Sequence, residues 1–489
     1  MGDGANSIMA GNDTGNRLQQ AIENHKAGRY DEAAAGYQAV LAADARNARA
    51  AHFLGVLTLQ AGRIDEAAAL LARAVAESPD WHDARNNYGV ALREQGRVTE
   101  AIEQFRTVTG GLPNEFNPRN NLATALLIAG DLAGAIEAAE AAHRLDADHP
   151  EPLLTIATAL LLRHDPEGAL ARLAHVLARQ PENERAVALY RTAMSRIVQP
   201  WHFPMMNDRL RNEAYEAAIR RAVTPDALVL DIGTGAGLLS MMAARAGARQ
   251  VVTCEMTGPV AAKAKQIIAG NGLQDRITVF NKPSHALTVG VDLPDRADVL
   301  VSEVFDSDLL SEGVLSTLED AHARLIKKNA KIIPRAASAM VVLAGGEQLK
   351  TMVHVDRAAG FDVGMFNQFM PERFVFDGQR FAFDWLSEPV AALNFDFRRT
   401  RYPHEHRIVE IKADRSGLCL GVVQWLRIDL DETSRFENRP DTPPEFPSGW
   451  MHSLYTFAPP VEVRAGQTVR LVAGHSRQFP YFRFAGLVG

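Results

Sequence analysis

A spacing of 34 residues runs through the first part of this 489-residue chain and limits its fold more than any other feature. Three positions keep the spacing over five copies between residues 14 and 181: a glycine, an alanine, and a small residue or proline. The glycine positions are Gly28, Gly62, Gly96 and Gly130, with His164 in the fifth copy. The alanine positions are Ala33, Ala67, Ala101, Ala135 and Ala169, and the third set is Ala45, Pro79, Pro113, Ala147 and Pro181. A repeat of this length predicts five stacked helix-turn-helix units, with the glycine in the turn and the alanine where the helices pack closely.

The period and its residue pattern resemble tetratricopeptide (TPR) repeats. Segment 182–200 carries Ala186, Leu189, Tyr190 and Met194 on one helical face and has no repeat partner, which predicts a capping helix and a linker. Residues 1–13 are rich in Gly, Asn and Asp and are predicted to be a disordered tail. The repeats themselves carry no chemistry, so they act as a binding surface, a spacer or a dimerisation surface.

Paired asparagines stand at equivalent positions in the third and fourth repeats, Asn86–Asn87 and Asn120–Asn121. A TPR solenoid has a concave groove, and we expect this groove to bind a protein partner. Amide side chains both donate and accept hydrogen bonds, so the asparagines are candidates for holding the backbone of an extended peptide. Solvated residues on a helix surface are the alternative interpretation.

The composition excludes several classes of protein. At 489 residues the chain is long enough for two to four domains, and 47% hydrophobic with 23% charged residues is typical of globular proteins. A formal net charge of -7 argues against a direct nucleic-acid partner. No apolar run is long enough to span a membrane, and no signal segment is apparent. The two cysteines, Cys254 and Cys419, are far apart, which predicts a reducing compartment, the cytoplasm, and no structural zinc.

A glycine-rich turn at Gly233, Gly235 and Gly237 follows an apolar strand ending at Asp231 and precedes a helix. Glycines allow a tight turn and a close approach of the backbone to a ligand. The G-x-G-x-G spacing lacks one glycine of the dinucleotide fingerprint, and the turn has no Walker lysine. Glu255 ends the next strand, about 20 residues on, where an acid binds a ribose diol. The pattern therefore predicts a nucleoside without a pyrophosphate, of which S-adenosylmethionine is the common example.

The segment Trp201–Tyr215 contains the order H-x-x-M-[LM]-x-D-x-x-R-x-x-x-Y before this turn. With Glu303 and Glu312 nine residues apart after a later strand, it resembles the protein arginine methyltransferase family, and the TPR repeats resemble the family's branch 9. The resemblance is specific over Trp201 to about Pro334 and loose over 335–489. Two carboxylates suit a guanidinium acceptor, because they can fix its orientation and draw its positive charge toward the bound nitrogens.

The resemblance assigns roles to the remaining candidates. Arg211 is expected to bind the methionine carboxylate of the cofactor, and His202 to lie over the cofactor. Met205 and Trp450 are expected beside the substrate guanidinium. His285 stands about where many family members have a glutamate that reads the adenine, so it is a candidate cofactor residue by position alone. The acids Asp306, Asp308, Glu319 and Asp320 are interpreted as scattered surface residues.

A second departure from the family is Ser448-Gly449-Trp450, where most members have Thr-His-Trp. Any role of that histidine near Glu312 is therefore open here. Period-2 stretches after residue 335 predict antiparallel strands, at Ala339–Leu343, Arg407–Ile411, Gly421–Ile428 and Thr468–Val472. The Phe-rich span near 355–385 lies where the family has a dimerisation arm, and ordinary packing between domains is the alternative.

The predicted fold is an all-α TPR solenoid over 14–181, an α/β Rossmann-like class I methyltransferase domain over 201–334, and an antiparallel β-barrel-like domain over 335–489. The predicted function is S-adenosylmethionine-dependent N-methylation of arginine in proteins that the TPR region recruits, by a homodimer and without a metal. Two alternatives remain: a small-molecule methyltransferase of the same fold, and a TPR scaffold whose methyltransferase domain binds cofactor without turnover.

Overall fold

The computed structural model describes residues 3–198, 201–443, 445 and 448–489, with backbone only for residues 3–12. The chain divides into two compact units, Met1–Arg196 and Ile197–Gly489. Among the described residues, every helix is too short or too polar to span a lipid bilayer.

The first unit consists of helices that pair in chain order. They are α1 (Asp3–Lys26), α2 (Tyr30–Ala43), α3 (Ala48–Gln60), α4 (Ile64–Glu77), α5 (His82–Glu94), α6 (Val98–Gly111), α7 (Phe116–Ile128), α8 (Leu132–Leu145), α9 (Pro150–Leu162), α10 (Pro166–Arg179) and α11 (Glu184–Ile197). Residues 3–13 form the start of α1, where the sequence predicted a disordered tail, and residues 1 and 2 lie outside the described residues. Extending a helix that already packs through Leu18 and Ala21 costs less than nucleating one.

The repeat registers have the structural roles that their residue types predicted. The four glycines adopt φ between +74° and +82°, and His164, which replaces glycine in the fifth copy, adopts +60°. This left-handed conformation is easy for glycine and tolerated by few other residues. The five alanines of the second register are all completely buried. A larger side chain there would separate the paired helices.

The second unit opens with α12 (His202–Asn207) and α13 (Arg209–Ala222), followed by an α/β domain. Its elements are β1 (Leu228–Ile232), α14 (Leu238–Arg245), β2 (Gln250–Cys254), α15 (Gly258–Gly270), β3 (Ile277–Phe280), β4 (Ala297–Ser302), α16 (Val314–Asp320) and β5 (Ile326–Ile333). A 3-10 turn occupies Ser284–Ala286 and a π-helical turn occupies Ala321–Leu325. The five strands form one parallel sheet in the order β3-β2-β1-β4-β5. Ligands of such sheets bind beyond the carboxyl ends of the strands.

The rest of the unit is antiparallel. Its strands are β6 (Ala336–Gly345), β7 (Arg357–Ala358), β8 (Phe361–Asp362), β9 (Arg373–Phe376), β10 (Asp384–Trp385), β11 (Val390–Asp396), β12 (Glu405–Lys412), β13 (Gly417–Asp429), β14 (Arg435–Glu437), β15 (His452–Val463), β16 (Thr468–His475) and β17 (Pro480–Val488). One sheet has the order β10-β6-β13-β15-β9, with β11 and β14 paired to β6 and β13, and a second has the order β12-β16-β17. Helix α17 (Glu347–Val353) and a 3-10 segment (Gly364–Phe369) interrupt the strands. The predicted fold class, with repeats, Rossmann-like sheet and antiparallel β domain, is confirmed.

Candidate active site

The glycine turn lies at the carboxyl edge of the parallel sheet, between β1 and α14. Gly233, Gly235 and Gly237 all have positive φ, of 88°, 50° and 85°. The amides of Gly233 and Thr234 both donate to the carbonyl of Cys254, at 3.1 Å each, and so tie the turn to the end of β2. The space where a Cβ of Gly235 would stand is open. A ligand can therefore approach the turn at Gly235 without meeting a side chain, and cofactor binding by the turn stays a prediction.

Glu255 follows β2 and its carboxylate spans two backbone amides. One oxygen accepts from Gly235 at 3.1 Å and the other from Thr257 at 3.0 Å. These bonds hold the carboxylate against the glycine turn. A carboxylate fixed beside such a turn is suited to accept hydrogen bonds from a ribose diol.

Asp231 lies on β1, in register with Thr253 on β2 and Val301 on β4, and is almost fully buried. Its Oδ2 accepts from Ser240 at 2.5 Å. Its Oδ1 is buried without a partner in the described part of the chain. Burial raises the pKa of Asp231 to about 7, although the Ser240 and Thr253 hydroxyls oppose the shift. A cationic ligand group would satisfy the unpaired oxygen and keep the carboxylate charged.

Arg211 and Glu303 form an ion pair between α13 and the end of β4. Arg211 Nε donates to Glu303 Oε1 at 2.9 Å, and Nη2 contacts Oε2. Both side chains are at most 4% exposed. Nη1 donates to Asn212 Oδ1 at 2.6 Å, and the guanidinium lies 4.9 Å from the centre of the Tyr215 ring. Burial lowers the pKa of Arg211, and the nearby acidic groups of Tyr215, Asp208 and Asp231 oppose this shift.

Glu312 ends the loop between β4 and α16 that begins at Glu303, here called the hairpin, and the residue as a whole is exposed. Protein atoms around its carboxyl nevertheless displace water and raise the pKa of Glu312 to about 7, and the negative charges of Asp306 and Glu255 add to the shift. Glu312 therefore changes its charge near neutral pH.

Two acids within the hairpin are structural, and interpreting them as scattered surface residues was wrong. Asp306 Oδ1 accepts from the amides of Asp308 and Ser311, at 3.1 and 3.4 Å, so it shapes the turn. Asp308 is 1% exposed and pairs with Arg373 at 2.7 Å. No local pattern of residues indicates this pair, because Arg373 belongs to a strand of the β domain.

Trp450 is buried beneath the hairpin. Its ring lies 5.6 Å from that of Phe305, and its Nε1 donates to the Phe305 carbonyl at 3.3 Å. Trp450 is 6% exposed, and its ring packs against Phe305 of the hairpin and Phe436 of β14. Any contact with a substrate would be made through the small remaining accessible surface.

Gly449 packs against α12, which explains the missing histidine. A Cβ at position 449 would lie 2.6 Å from the Cα of Met205. Asp208, the N-cap of α13, is also linked to the Ser448 hydroxyl and the Gly449 amide. A histidine at 449 would have to push α12 away. Met205 thus meets the loop before Trp450.

The two histidine candidates are placed differently. His202 is half-buried at the start of α12, with its ring 6.4 Å from that of Trp201. His285 is exposed in the 3-10 turn, and its carbonyl accepts from Arg324 at 3.2 Å. These contacts fix the backbone of His285 and leave its ring accessible, so its cofactor role stays a prediction.

Models of two families match the chain. Tetratricopeptide repeat models match residues 18–80, 59–116 and 126–192, and the model of ribosomal protein L11 methyltransferase (PrmA) matches residues 214–334. An arginine N(omega)-methyltransferase of Streptomyces achromogenes subsp. streptozoticus is 36% identical over 317 residues, which cover 63% of this chain and 85% of the relative. Protein arginine N-methyltransferase 7 of Oryza sativa subsp. indica is 36% identical over 251 residues, which cover 47% of this chain and 35% of that protein.

Among solved structures, the Trypanosoma brucei PRMT1 enzyme-prozyme heterotetrameric complex with AdoHcy is similar, with a TM-score of 0.50 and 24% identity over 56% of this chain and 88% of the other. This similarity supports the fold. The relatives above include branch 7 of the family, and the predicted likeness to branch 9 stays a prediction.

Proposed function

The chain belongs to the protein arginine methyltransferase family, and we propose that it transfers a methyl group from S-adenosylmethionine to an arginine guanidinium held by Glu303 and Glu312. The observation that carries the proposal is the buried Glu303 carboxylate at the end of β4, which accepts a hydrogen bond from Arg211 Nε and forms an ion pair with that guanidinium. A carboxylate that pairs with a guanidinium of its own chain is suited to pair with one from a substrate.

The residues around the glycine turn fit the cofactor. Glu255 offers a carboxylate to the ribose, Asp231 has an unpaired buried oxygen for the amino group, and Gly235 leaves open space. Arg211 offers a guanidinium for the carboxylate, with His202 and His285 as further candidates. Bound S-adenosylmethionine supplies a methyl group activated by the positive charge of its sulfonium.

The two glutamates supply what the acceptor requires. A delocalised guanidinium is a poor nucleophile, and carboxylates on two of its nitrogens localise the charge and orient the third nitrogen. Methyl transfer releases one proton from that nitrogen. Glu312, whose pKa is raised to about 7, can accept this proton, and Glu303 holds the guanidinium in place.

The test is transfer by purified protein from labelled S-adenosylmethionine to an arginine-containing polypeptide, with recovery of methylarginine after hydrolysis. We expect Glu303→Gln to bind cofactor and to lower transfer by at least about 100-fold, because a positioned charge is lost. Glu432→Gln, on the exposed partner of Arg335 in the β domain, is the control. Transfer by Glu303→Gln at the wild-type rate would remove the proposal.

A second acceptor, free arginine, is favoured by one observation. The Streptomyces relative, of which this chain covers 85%, is named arginine N(omega)-methyltransferase, whereas the Oryza relative is named a protein arginine N-methyltransferase. The same two glutamates would serve either acceptor. Separating the labelled products into small-molecule and protein fractions distinguishes them: methylarginine without hydrolysis would show the free amino acid to be the substrate.

The TPR unit is proposed to recruit a polypeptide. Asn121 Nδ2 donates to Asn86 Oδ1 at 3.1 Å, and Asn120 Oδ1 is buried without a partner among the described residues. The amides of Asn86 and Asn121, on neighbouring repeats, are thus hydrogen-bonded to each other. Asn87→Ala together with Asn121→Ala should lower transfer to a polypeptide and leave transfer to free arginine or a short peptide unchanged. Glu137→Ala, on the exposed surface of α8, is the control.

A homodimer is proposed from the segment between β7 and β9. Phe361, Met365, Phe366 and Phe369 are each at least 67% exposed. Such a cluster of large apolar residues is typical of a surface that another protein covers. Light scattering should show a dimer that Phe366→Ser with Phe369→Ser converts to a monomer, while Val291→Ser, at an isolated exposed residue, has no effect.

The cytoplasmic location inferred from the cysteines also stays a prediction.

A further inference from the structure

The hairpin carries both glutamates, and the β domain makes polar contacts with three hairpin residues in the described part of the chain. Trp450 donates to the Phe305 carbonyl at 3.3 Å. Ser307 receives two contacts, from Gln424 Nε2 to its carbonyl at 3.3 Å and from the Met451 amide to its hydroxyl at 2.8 Å. Asp308 receives the only charged contact of the three, and it lies five residues after Glu303 and four before Glu312.

Asp308 and Arg373 form a closed set of polar contacts with β15. Arg373 Nη2 lies 2.7 Å from Asp308 Oδ2, and Arg373 Nε donates to Ser453 at 3.2 Å. The Ser453 hydroxyl in turn donates to Asp308 Oδ1 at 3.0 Å, and Tyr455 donates to the same oxygen at 3.4 Å. A carboxylate with this many partners has one orientation, because each partner is fixed on a strand of the same sheet.

Burial separates this role from direct contact with a substrate. Asp308 and Arg373 both line an open cavity of about 530 Å³ with residues of β15 and β17, but the Asp308 side chain is only 2% exposed, whereas that of Arg373 is 34% exposed. A substrate could reach Arg373 from the cavity, but it could reach Asp308 only by breaking the pair. An acid within the hairpin that is closed to solvent acts on the hairpin.

We propose that the Asp308–Arg373 ion pair positions the acceptor hairpin, setting where Glu303 and Glu312 present their carboxylates to the guanidinium. This role rests on the proposed function of the two glutamates. The pair joins the hairpin to β9, which is distant in sequence, so the β domain determines the geometry of a site whose cofactor residues belong to the parallel sheet. Asp308 and Arg373 are positioning residues, since they act through the glutamates.

The test compares Asp308→Asn, Arg373→Met, the double variant and Arg373→Lys in the full-length chain. We expect each single variant to bind S-adenosylmethionine with unchanged affinity and to lower kcat by about 100-fold, the loss typical of a misplacement of about 1 Å. The kcat of the double variant should be no lower than that of either single variant, because the two single variants remove the same contact. Arg373→Lys should recover part of the rate, since it keeps the charge.

The control is Asp429→Asn, which breaks the 2.6 Å pair with Arg435 between β13 and β14, away from the hairpin. Hydrogen exchange provides a readout independent of turnover: amides of residues 303–312 should exchange faster in Asp308→Asn and unchanged in Asp429→Asn. Equal kcat and equal exchange in the two variants would overturn the proposal. The proposal would also be overturned if Asp308→Asn kept the wild-type kcat but changed the preference for substrates with basic residues beside the target arginine, because that result would make Asp308 a substrate contact. Absence of arginine methylation by the wild type would instead remove the proposed function, and the exchange result would still decide the positioning role.

Discussion

Arg211 Nε donates to Glu303 Oε1 at 2.9 Å, with both side chains buried, so one of the two predicted acceptor carboxylates holds a guanidinium of its own chain. The resemblance to the family assigned Arg211 to the cofactor carboxylate and Glu303 to the substrate. The observed pair places both groups in one contact. Under the proposed function, cofactor and acceptor would therefore meet at this contact.

We expect the Arg211–Glu303 pair to be strongly coupled in folding. Arg211→Met or Glu303→Gln alone should lower the free energy of unfolding by about 3–5 kcal/mol, because each leaves a buried group without its partner. The double variant should lose much less than the sum of the two. Urea denaturation of the four proteins without cofactor measures the coupling, and additive losses would contradict a direct interaction.

Glu312 should give the acceptor step a pH dependence. With a pKa near 7, its carboxyl is protonated and neutral at lower pH, and it loses the proton and gains its charge as pH rises. At saturating cofactor, kcat/KM for the acceptor should rise by up to about tenfold per pH unit below 7 and level off above it. Residual activity of Glu312→Gln should lack this step. An inflection that persists in the variant would assign the titration to another group.

Asp231 should lower stability as pH rises toward neutrality. Burial raises its pKa to about 7 in the folded chain, above the value of about 4 in an unfolded one. Between these pH values only the unfolded state has released the proton. The contribution of Asp231 to the free energy of unfolding therefore falls from pH 4 to pH 7 and is constant above pH 7. Asp231→Asn removes this effect, and its Tm relative to wild type should increase between pH 5 and pH 8. Its cofactor affinity should fall at least about tenfold. A Tm difference independent of pH would contradict the shift.

Restoring the family histidine at position 449 should damage the protein. The Met205 backbone stands 2.6 Å from where a Cβ would lie, so Gly449→Ala already requires α12 to move. We expect a loss of about 1–3 kcal/mol in the free energy of unfolding for Gly449→Ala, a larger loss for Gly449→His, and no gain in activity. Gly270→Ala, where the corresponding space is empty, is the control. Increased transfer by Gly449→His would show that the loop can accommodate the ring.

Much of the fold could be predicted from local patterns. The strand predicted to end at Asp231 is β1, which ends one residue later at Ile232, and the four strands predicted after residue 335 lie within β6, β12, β13 and β16. From the sequence, residues 313–326 are expected to form one helix, whereas α16 ends at Asp320 and continues as a π-helical turn before β5 begins at Ile326. A strand is expected at Ala330–Pro334, which overlaps the second half of β5. Lys327, Lys328 and Asn329 stand near the start of β5. Apolar and polar residues do not alternate there, so the sequence pattern does not indicate this part of the strand.

The sequence by itself determined the repeats, the glycine turn, and the acids that end β1, β2 and β4, because these features depend on spacing within a few tens of residues. Only the tertiary structure decided that Arg211 pairs with Glu303, that Asp308 is buried against Arg373, and that Gly449 meets Met205. Each of these contacts joins segments far apart in the chain. Their partners are selected by how the parallel sheet, the β domain and α12 pack, and no local pattern of residue types encodes that packing.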